Sequence, residues 1–157
     1  MPEPGDLAPD FEGRTQTGDS LRLSDFRGRP VALYFYPKNE TPGCTAQACS
    51  LRDGSLDLRE AGVAVVGVSP DDVKSHAQFA AGHSLDFPLV ADPDHRIMES
   101  YGVWGDKSLY GRLVTGVKRT TFLIGPDGHV VDVIKRPAVR RHAEQVLDRL
   151  RRARVAG

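Results

Sequence analysis

The sequence predicts an α/β fold whose sheet is partly parallel and covered by helices. Three observations carry that expectation. Residues 31–36 and 63–68 are continuous apolar runs, the pattern of strands buried on both faces. Each is followed by a stretch of helical character with capping residues at its start, so strands and helices alternate through the first half. A hairpin signal and an amphipathic segment then close the chain.

Residues 12–23 hold two short polar–apolar stretches around Thr17-Gly18-Asp19, an N-terminal β-hairpin. Pro37 ends the strand at 31–36, and Gly43 and Thr45 precede a helix expected to reach about Ala61, with Gly62 as its C-cap. Ser69-Pro70-Asp71-Asp72 supplies the cap of a helix to about Ala81. A shorter strand at 87–91 leads to Asp92-Pro93-Asp94 and a short helix ending near Tyr101-Gly102. Strands at 120–124 and 130–134 flank Gly125-Pro126-Asp127-Gly128, a hairpin turn. The last helix is expected to begin near Val139, with Val139, Ala143, Val146, Leu147 and Leu150 on one face. A β-α-β unit followed by a β-β-α unit is the order of a thioredoxin-like fold, here a single domain over 1–157 with a central mixed sheet flanked by helices. Element order says nothing by itself about function.

Lys plus Arg and Asp plus Glu each number 21, so there is no whole-molecule field to draw in nucleic acid or an anionic membrane. No run approaches the ~18 apolar residues of a membrane span. The start, Met1-Pro2-Glu3-Pro4-Gly5-Asp6, lacks the basic and apolar regions of a secretory signal, so a cytoplasmic protein is expected. Two cysteines exclude a disulfide scaffold, and with five scattered histidines they do not make the paired four-ligand spacing of tetrahedral zinc. No Ser-His-Asp or paired-carboxylate pattern stands out. Asp71, Asp72, Asp92 and Asp94 read as helix-start carboxylates. Trp104 is expected in the core, with a pocket wall as the other possibility. Lys135 to Arg154 carries eight basic residues against Glu144 and Asp148, a solvated helix face or, less economically, a dock for an acidic partner.

The chemistry concentrates in Tyr36-Pro37-Lys38-Asn39-Glu40-Thr41-Pro42-Gly43-Cys44-Thr45-Ala46-Gln47-Ala48-Cys49. Cys44 falls between a buried strand and the first turn of a helix, where unpaired N–H groups and the positive end of the helix dipole meet. Both favour an anion, so they favour thiolate over thiol and can hold the oxygens of a small ligand. Thr41 can bring a hydroxyl to the same place, and Pro37 and Pro42 stiffen the loop.

This segment resembles the peroxiredoxin pattern Pro-x-x-x-Thr-x-x-Cys, met by Pro37, Thr41 and Cys44. It further resembles the peroxiredoxin Q, or bacterioferritin comigratory protein, group in Thr-Pro-Gly-Cys-Thr-x-x-x-Cys from Thr41 to Cys49. Gly5-Asp6-Leu7-Ala8-Pro9-Asp10-Phe11, Leu23-Ser24-Asp25-Phe26-Arg27-Gly28, Tyr101-Gly102-Val103-Trp104-Gly105 and Arg119-Thr120-Thr121-Phe122-Leu123-Ile124 extend the likeness over nearly the whole chain. The resemblance implies a thioredoxin-dependent peroxidase, usually a monomer, with no cofactor or metal. It implies Cys44 as peroxidatic nucleophile and Cys49 as resolving partner. Thr41, Gly43 and Cys44 would bind the hydroperoxide with Arg119, which also holds the thiolate, and Pro37 would shape the pocket. Arg suits that role because it stays charged and presents several donors in a fixed fork. The chain departs from the group in Asn39-Glu40, both taken as polar loop positions of small consequence, and in residues 136–142, ahead of the last helix.

The spacing of the cysteines sets a constraint. On one regular helix, residues five apart are separated by about 7.5 Å of rise and about 140° of net rotation, which places their Cα atoms roughly 8.6 Å apart. A disulfide needs about 4.4–6.8 Å. A Cys44–Cys49 bond therefore requires at least the first turn of the helix to unwind. The thioredoxin-type motif C-x-x-C is absent. Three other arrangements stay open: Cys49 as a core residue with Cys44 resolved by an external thiol, a thiol–disulfide oxidoreductase, and a non-catalytic redox sensor.

Overall fold

The computed structural model describes residues 1–153. In chain order its elements are β1 (Glu12–Thr15), β2 (Ser20–Arg22), a 3-10 turn (Leu23–Phe26), β3 (Val31–Phe35), α1 (Pro42–Asp53), α2 (Ser55–Glu60), β4 (Ala64–Ser69) and α3 (Val73–His83). They continue with β5 (Leu89–Ala91), α4 (Arg96–Ser100), β6 (Trp104–Leu109), β7 (Arg112–Val117), β8 (Thr120–Ile124), β9 (Val130–Ile134) and α5 (His142–Arg152).

The seven-stranded sheet has the order β2-β1-β5-β4-β3-β8-β9. Every residue of β3 and β4 is buried, which is why both read as unbroken apolar runs, and the two pair in parallel from Val31 beside Ala64 to Phe35 beside Val68. β5 continues the parallel set beside β4, while β8 runs antiparallel to β3 and β9 antiparallel to β8. The N-terminal hairpin pairs Glu12 with Arg22 and joins the sheet through β5. This is the expected thioredoxin-like arrangement: a mixed central sheet, flanked by helices, with β-α-β and β-β-α halves meeting at β3 and β8.

Alternation along β3 divides the core. Ala32, Tyr34 and, just past the strand end, Tyr36 face α1, α2, α3 and α5, where they meet Cys44, Leu51, Leu58, Phe79, Val146 and Leu150. Val31, Leu33 and Phe35 face the other way, toward Met98 of α4, Tyr101, Phe122 and Leu23 of the 3-10 turn. Of the carboxylates expected to start helices, Asp72 accepts from Ser75 N at 2.8 Å and buried Asp92 accepts from Ile97 N and Met98 N at 3.1 and 2.9 Å, whereas Asp71 accepts instead from Asn39 N and Ser69 Oγ at 2.9 and 2.6 Å.

Three expectations need correction. The single helix expected to about Ala61 is two, α1 and α2, meeting at Gly54. The bare Cα of Gly54 lies against Ala143 of α5, and a Cβ there would overlap the Ala143 Cβ. Ser50 Oγ accepts from Ala143 N at 3.3 Å, so the first turn of α5 docks on the α1–α2 junction. The last helix starts at His142, three residues later than expected. Pro137 offers no N–H, and Gln145 Oε1 draws Ala138 N and the His142 ring toward itself at 2.8 and 2.9 Å, holding residues 138–141 in a turn.

The third is β6–β7, a separate two-stranded hairpin the sequence did not announce. Its two-residue turn is Tyr110-Gly111, at φ 52° and 76°, a double left-handed turn for which Tyr is an unusual first residue. Trp104 opens β6 half-buried rather than in the core, its ring stacked 3.6 Å from His95. The basic C-terminal helix is a solvated face with ion pairs Arg141–Glu144 and Arg152–Asp148, plus Arg149 gripping Asp132 of β9 with two nitrogens at 2.5 and 2.8 Å. Arg154 lies outside the described residues.

The packing at Gly54 gives a direct test. Gly54→Ala forces α1–α2 away from α5 and is expected to lower unfolding free energy by about 1–3 kcal/mol in urea titration. Adding Ala143→Gly, which empties the colliding position, is expected to recover part of that loss relative to the single variants.

Candidate active site

β3 ends and the chain enters α1 through the loop at 36–41. Pro42 takes the first helical position, where its missing N–H costs nothing. Thr41 precedes it in extended conformation (φ −79°, ψ 149°), and its hydroxyl donates to the Lys38 carbonyl at 2.8 Å rather than capping the helix. Gly43 and Cys44 are thus left with backbone N–H groups that have no acceptor in the helix and point along the positive end of the dipole.

Cys44 is only 1% exposed, and Arg119 Nη2 stands 3.2 Å from its sulfur. The sheet delivers that arginine. β8 pairs with β3 so that Thr120 lies opposite Phe35, and Arg119, one residue ahead, falls beside the end of β3 where the loop to Cys44 departs. Gln47, one turn past Cys44 on α1 and fully buried, accepts from Arg119 Nη1 at 2.7 Å and fixes the guanidinium. Gly43 provides the room: a Cβ there would stand 3.2 Å from Arg119 Nη2. Arg119 and Pro37 also line an open depression of about 450 Å³ with Lys107, Lys118 and Lys135.

The structure therefore gathers Pro37, Gly43, Cys44 and Arg119 at one junction, with Thr41 at its rim and its hydroxyl engaged by Lys38. Cys49 lies further along the same helix, half-buried, and both thiols are free. Both sit inside regular α1, the arrangement in which five-residue spacing keeps two cysteines too far apart to bond.

Several contributors escaped the sequence reading. Gln47 had a usable signal, since three residues past Cys44 it shares a helix face with it. Asn39 had none. It is buried, with N–H donating to Asp71 Oδ2 at 2.9 Å and side-chain amide donating to Ser75 Oγ and His76 Nδ1, each at 3.0 Å. Tyr36 donates to its carbonyl oxygen at 2.7 Å. His76 Nε2 in turn meets the Val90 carbonyl at 3.1 Å, and burial holds this imidazole neutral below its usual range. The loop that shapes the Cys44 site is thereby tied to α3 and β5, so Asn39 matters more than a polar loop position would.

The model of the AhpC/TSA family matches residues 4–133. The chain belongs to the AhpC/TSA family. Within it the chain is similar to Peroxiredoxin Bcp of Escherichia coli K12, with 44% identity over 147 residues and 94% of both chains covered. The putative peroxiredoxin bcp of Haemophilus influenzae is also 44% identical, over 94% of this chain and 95% of its own. Among solved structures, Peroxidoxin BcpB of Mycobacterium tuberculosis superposes with a TM-score of 0.85 at 40% identity, covering 97% of this chain and 98% of that one. Bacterioferritin comigratory protein of Xanthomonas campestris gives 0.86 at 34% identity, covering 97% and 96%. This is a peroxiredoxin of the peroxiredoxin Q group, and its family supports thiol peroxidase activity. Among the described residues, no helix of this peroxiredoxin is long and apolar enough to cross a membrane.

Behind the site, Tyr34 lies under Cys44 with its hydroxyl buried and unpartnered among the described residues. Burial, with the neighbouring thiol, keeps it a phenol. Beside it, buried His142 meets the Thr121 hydroxyl at Nε2, 2.8 Å away, and donates from Nδ1 to the Gln145 side-chain oxygen at 2.9 Å. Burial, reinforced by the Arg119 charge, pushes its pKa down from 6.5 to about 4. The unfolded chain takes up this proton below pH about 6.5 and the folded chain does not until pH about 4. Stability is therefore expected to fall by about 3 kcal/mol as pH drops through that window, then to lose nothing further from this group. Urea midpoints measured across the window check it, with His142→Gln expected to flatten the slope.

Proposed function

We propose that this peroxiredoxin reduces hydrogen peroxide and organic hydroperoxides through Cys44, forms an intramolecular disulfide with Cys49, and is recycled by thioredoxin or a similar dithiol. The observation that carries the proposal is the Arg119 guanidinium 3.2 Å from the sulfur of buried Cys44, at the first turn of α1. A thiolate there is stabilised by a full positive charge and by the free N–H groups of Gly43 and Cys44.

In the proposed first step the Cys44 thiolate attacks the nearer peroxide oxygen. The S–O bond forms, the O–O bond breaks, and water or alcohol leaves after taking up a proton. Arg119 stabilises charge gathering on the departing oxygen, the Gly43 and Cys44 N–H groups bind the peroxide, and the Thr41 oxygen accepts a hydrogen bond from it. Pro37 closes the pocket against bulk water. Cys44 is left as sulfenic acid, and the Cys49 sulfur displaces its oxygen to close the disulfide. The start of α1 unwinds to let the two sulfurs meet, since the regular helix holds them apart. The chain works as one cytoplasmic domain, a monomer needing no cofactor or metal.

Stopped-flow oxidation of the reduced protein by hydrogen peroxide tests the assignment. Cys44 is expected to oxidise far faster than a free thiol, giving an intramolecular disulfide that thioredoxin reduces. Arg119→Met is expected to slow the oxidation by about 10²–10³-fold. Cys49→Ser is expected to oxidise at an undiminished rate and to accumulate sulfenic or over-oxidised Cys44, visible by mass spectrometry. Oxidation at a free-thiol rate would overturn the peroxidase assignment and favour a disulfide-exchange or sensor protein.

A further inference from the structure

His83 closes α3 and turns its ring toward α1. Its Nδ1 lies 4.0 Å from the Cys49 sulfur, and its Nε2 lies 3.2 Å from Glu40 Oε2. The ring is only 25% exposed and packs edge-on against Phe79 at 5.0 Å. Its backbone carbonyl accepts from Arg52 Nη1 at 2.8 Å, which ties the end of α3 to α1 three residues beyond Cys49. Cys49 and Arg52 from α1 and Glu40 from the site loop are the titratable or charged groups that face His83, and Arg52 is paired in turn with Asp53 at 3.0 Å.

This is the order nucleophile, imidazole, carboxylate, with Cys49 as the nucleophile. A carboxylate on one ring nitrogen fixes the tautomer and leaves the lone pair of the other aimed at the thiol, an arrangement that activates nucleophiles on unrelated folds. With Nε2–H donated to Glu40, Nδ1 is the free base, and among the described residues Cys49 is the proton donor that faces it. The peroxide-reducing centre makes no use of either residue: Cys44 has Arg119, and Glu40 points away from it to α3.

We propose that His83 is the general base of the resolving step and that Glu40 is the positioning residue that orients it. The proposal rests on Cys49 being the resolving thiol. Nδ1 takes the Cys49 proton, and the resulting thiolate attacks the sulfenic sulfur of Cys44. The S–S bond forms as the S–O bond breaks, and the departing oxygen takes up the proton carried by the imidazolium and leaves as water. Cys49 is oxidised, Cys44 sulfenic acid is reduced to the disulfide level, and His83 returns neutral. Deprotonation takes place while α1 is intact, and the charged sulfur is then free to follow the unwinding helix toward Cys44.

The two chemical steps are separable in one experiment. Reduced protein is mixed with hydrogen peroxide and rapidly quenched, and sulfenic acid and disulfide are quantified by mass spectrometry, giving the rate of disulfide closure relative to Cys44 oxidation. In His83→Gln that ratio is expected to fall about tenfold or more at neutral pH. The deficit should shrink as pH rises through the range where a thiol ionises unaided, near 8.5. Glu40→Gln, which keeps the imidazole but loses its anchor, is expected to show a smaller loss with the same pH rescue. An unchanged ratio in both variants overturns the proposal while leaving Cys49 as the resolving thiol. A loss that persists undiminished at high pH also overturns it, because it marks a packing role. No intramolecular disulfide in the parent protein overturns the underlying assignment of Cys49 as well.

Discussion

The Arg119 guanidinium against the Cys44 sulfur is the contact around which the strand-to-helix junction is organised. Arg119 is half-buried and Cys44 almost wholly buried, and a charge at such a depth without a partner carries a desolvation cost. Three separate parts of the chain converge to satisfy both. The β3–β8 register sets Arg119 at the right height, Gln47 holds its second nitrogen, and Gly43 leaves the space its fork occupies. A one-residue slip of β8 would turn Arg119 to the opposite face of the sheet, so the register of a buried antiparallel pair is part of the site.

The loop between β3 and α1 is held just as firmly, from the other side. Tyr36, Asn39, Ser75, His76 and Asp71 form one connected set of hydrogen bonds beneath it, reaching through His76 to β5. Buried polar networks rigidify when every member is satisfied, and a neutral His76 satisfies this one with an acceptor on one nitrogen and a donor on the other. Movement at the site is therefore directed away from the loop and into α1, whose first turn has free N–H groups and no side-chain cap.

The parts of this architecture that rest on short-range rules were legible from residues alone. Apolar runs marked β3 and β4, aspartates marked the starts of α3 and α4, and Gly125 to Gly128 marked the last hairpin. The junction at Cys44 was legible because helix-start chemistry and a strong family motif coincide on it. What escaped depends on contacts distant in sequence. Gly54 breaks a helix because Ala143, 89 positions later, needs its space. Asn39 is buried because α3 carries Ser75 and His76, and nothing within its own loop records that. The β6–β7 hairpin was invisible for a different reason: its turn uses Tyr110, and its strands are largely solvent-facing, so neither turn chemistry nor apolar alternation declares it.

The junction at Gly54 also limits how far α1 can open. Beyond Cys49 the helix is fastened residue by residue: Ser50 to Ala143 N, Leu51 in the core, Arg52 to the carbonyl of His83. Melting that begins at Pro42 therefore meets a clamp at Ser50 rather than running on into α2. The freed backbone is a tether of defined length, with its far end anchored on two other helices. The oxidised molecule can then differ from the reduced one over about two helical turns, while the sheet, the Arg119 pocket and the packing of α5 stay as they are. In the proposed cycle a reducing partner would meet an exposed disulfide on a short slack segment, and release of that bond would let the helix rewind from a seed that never unfolded.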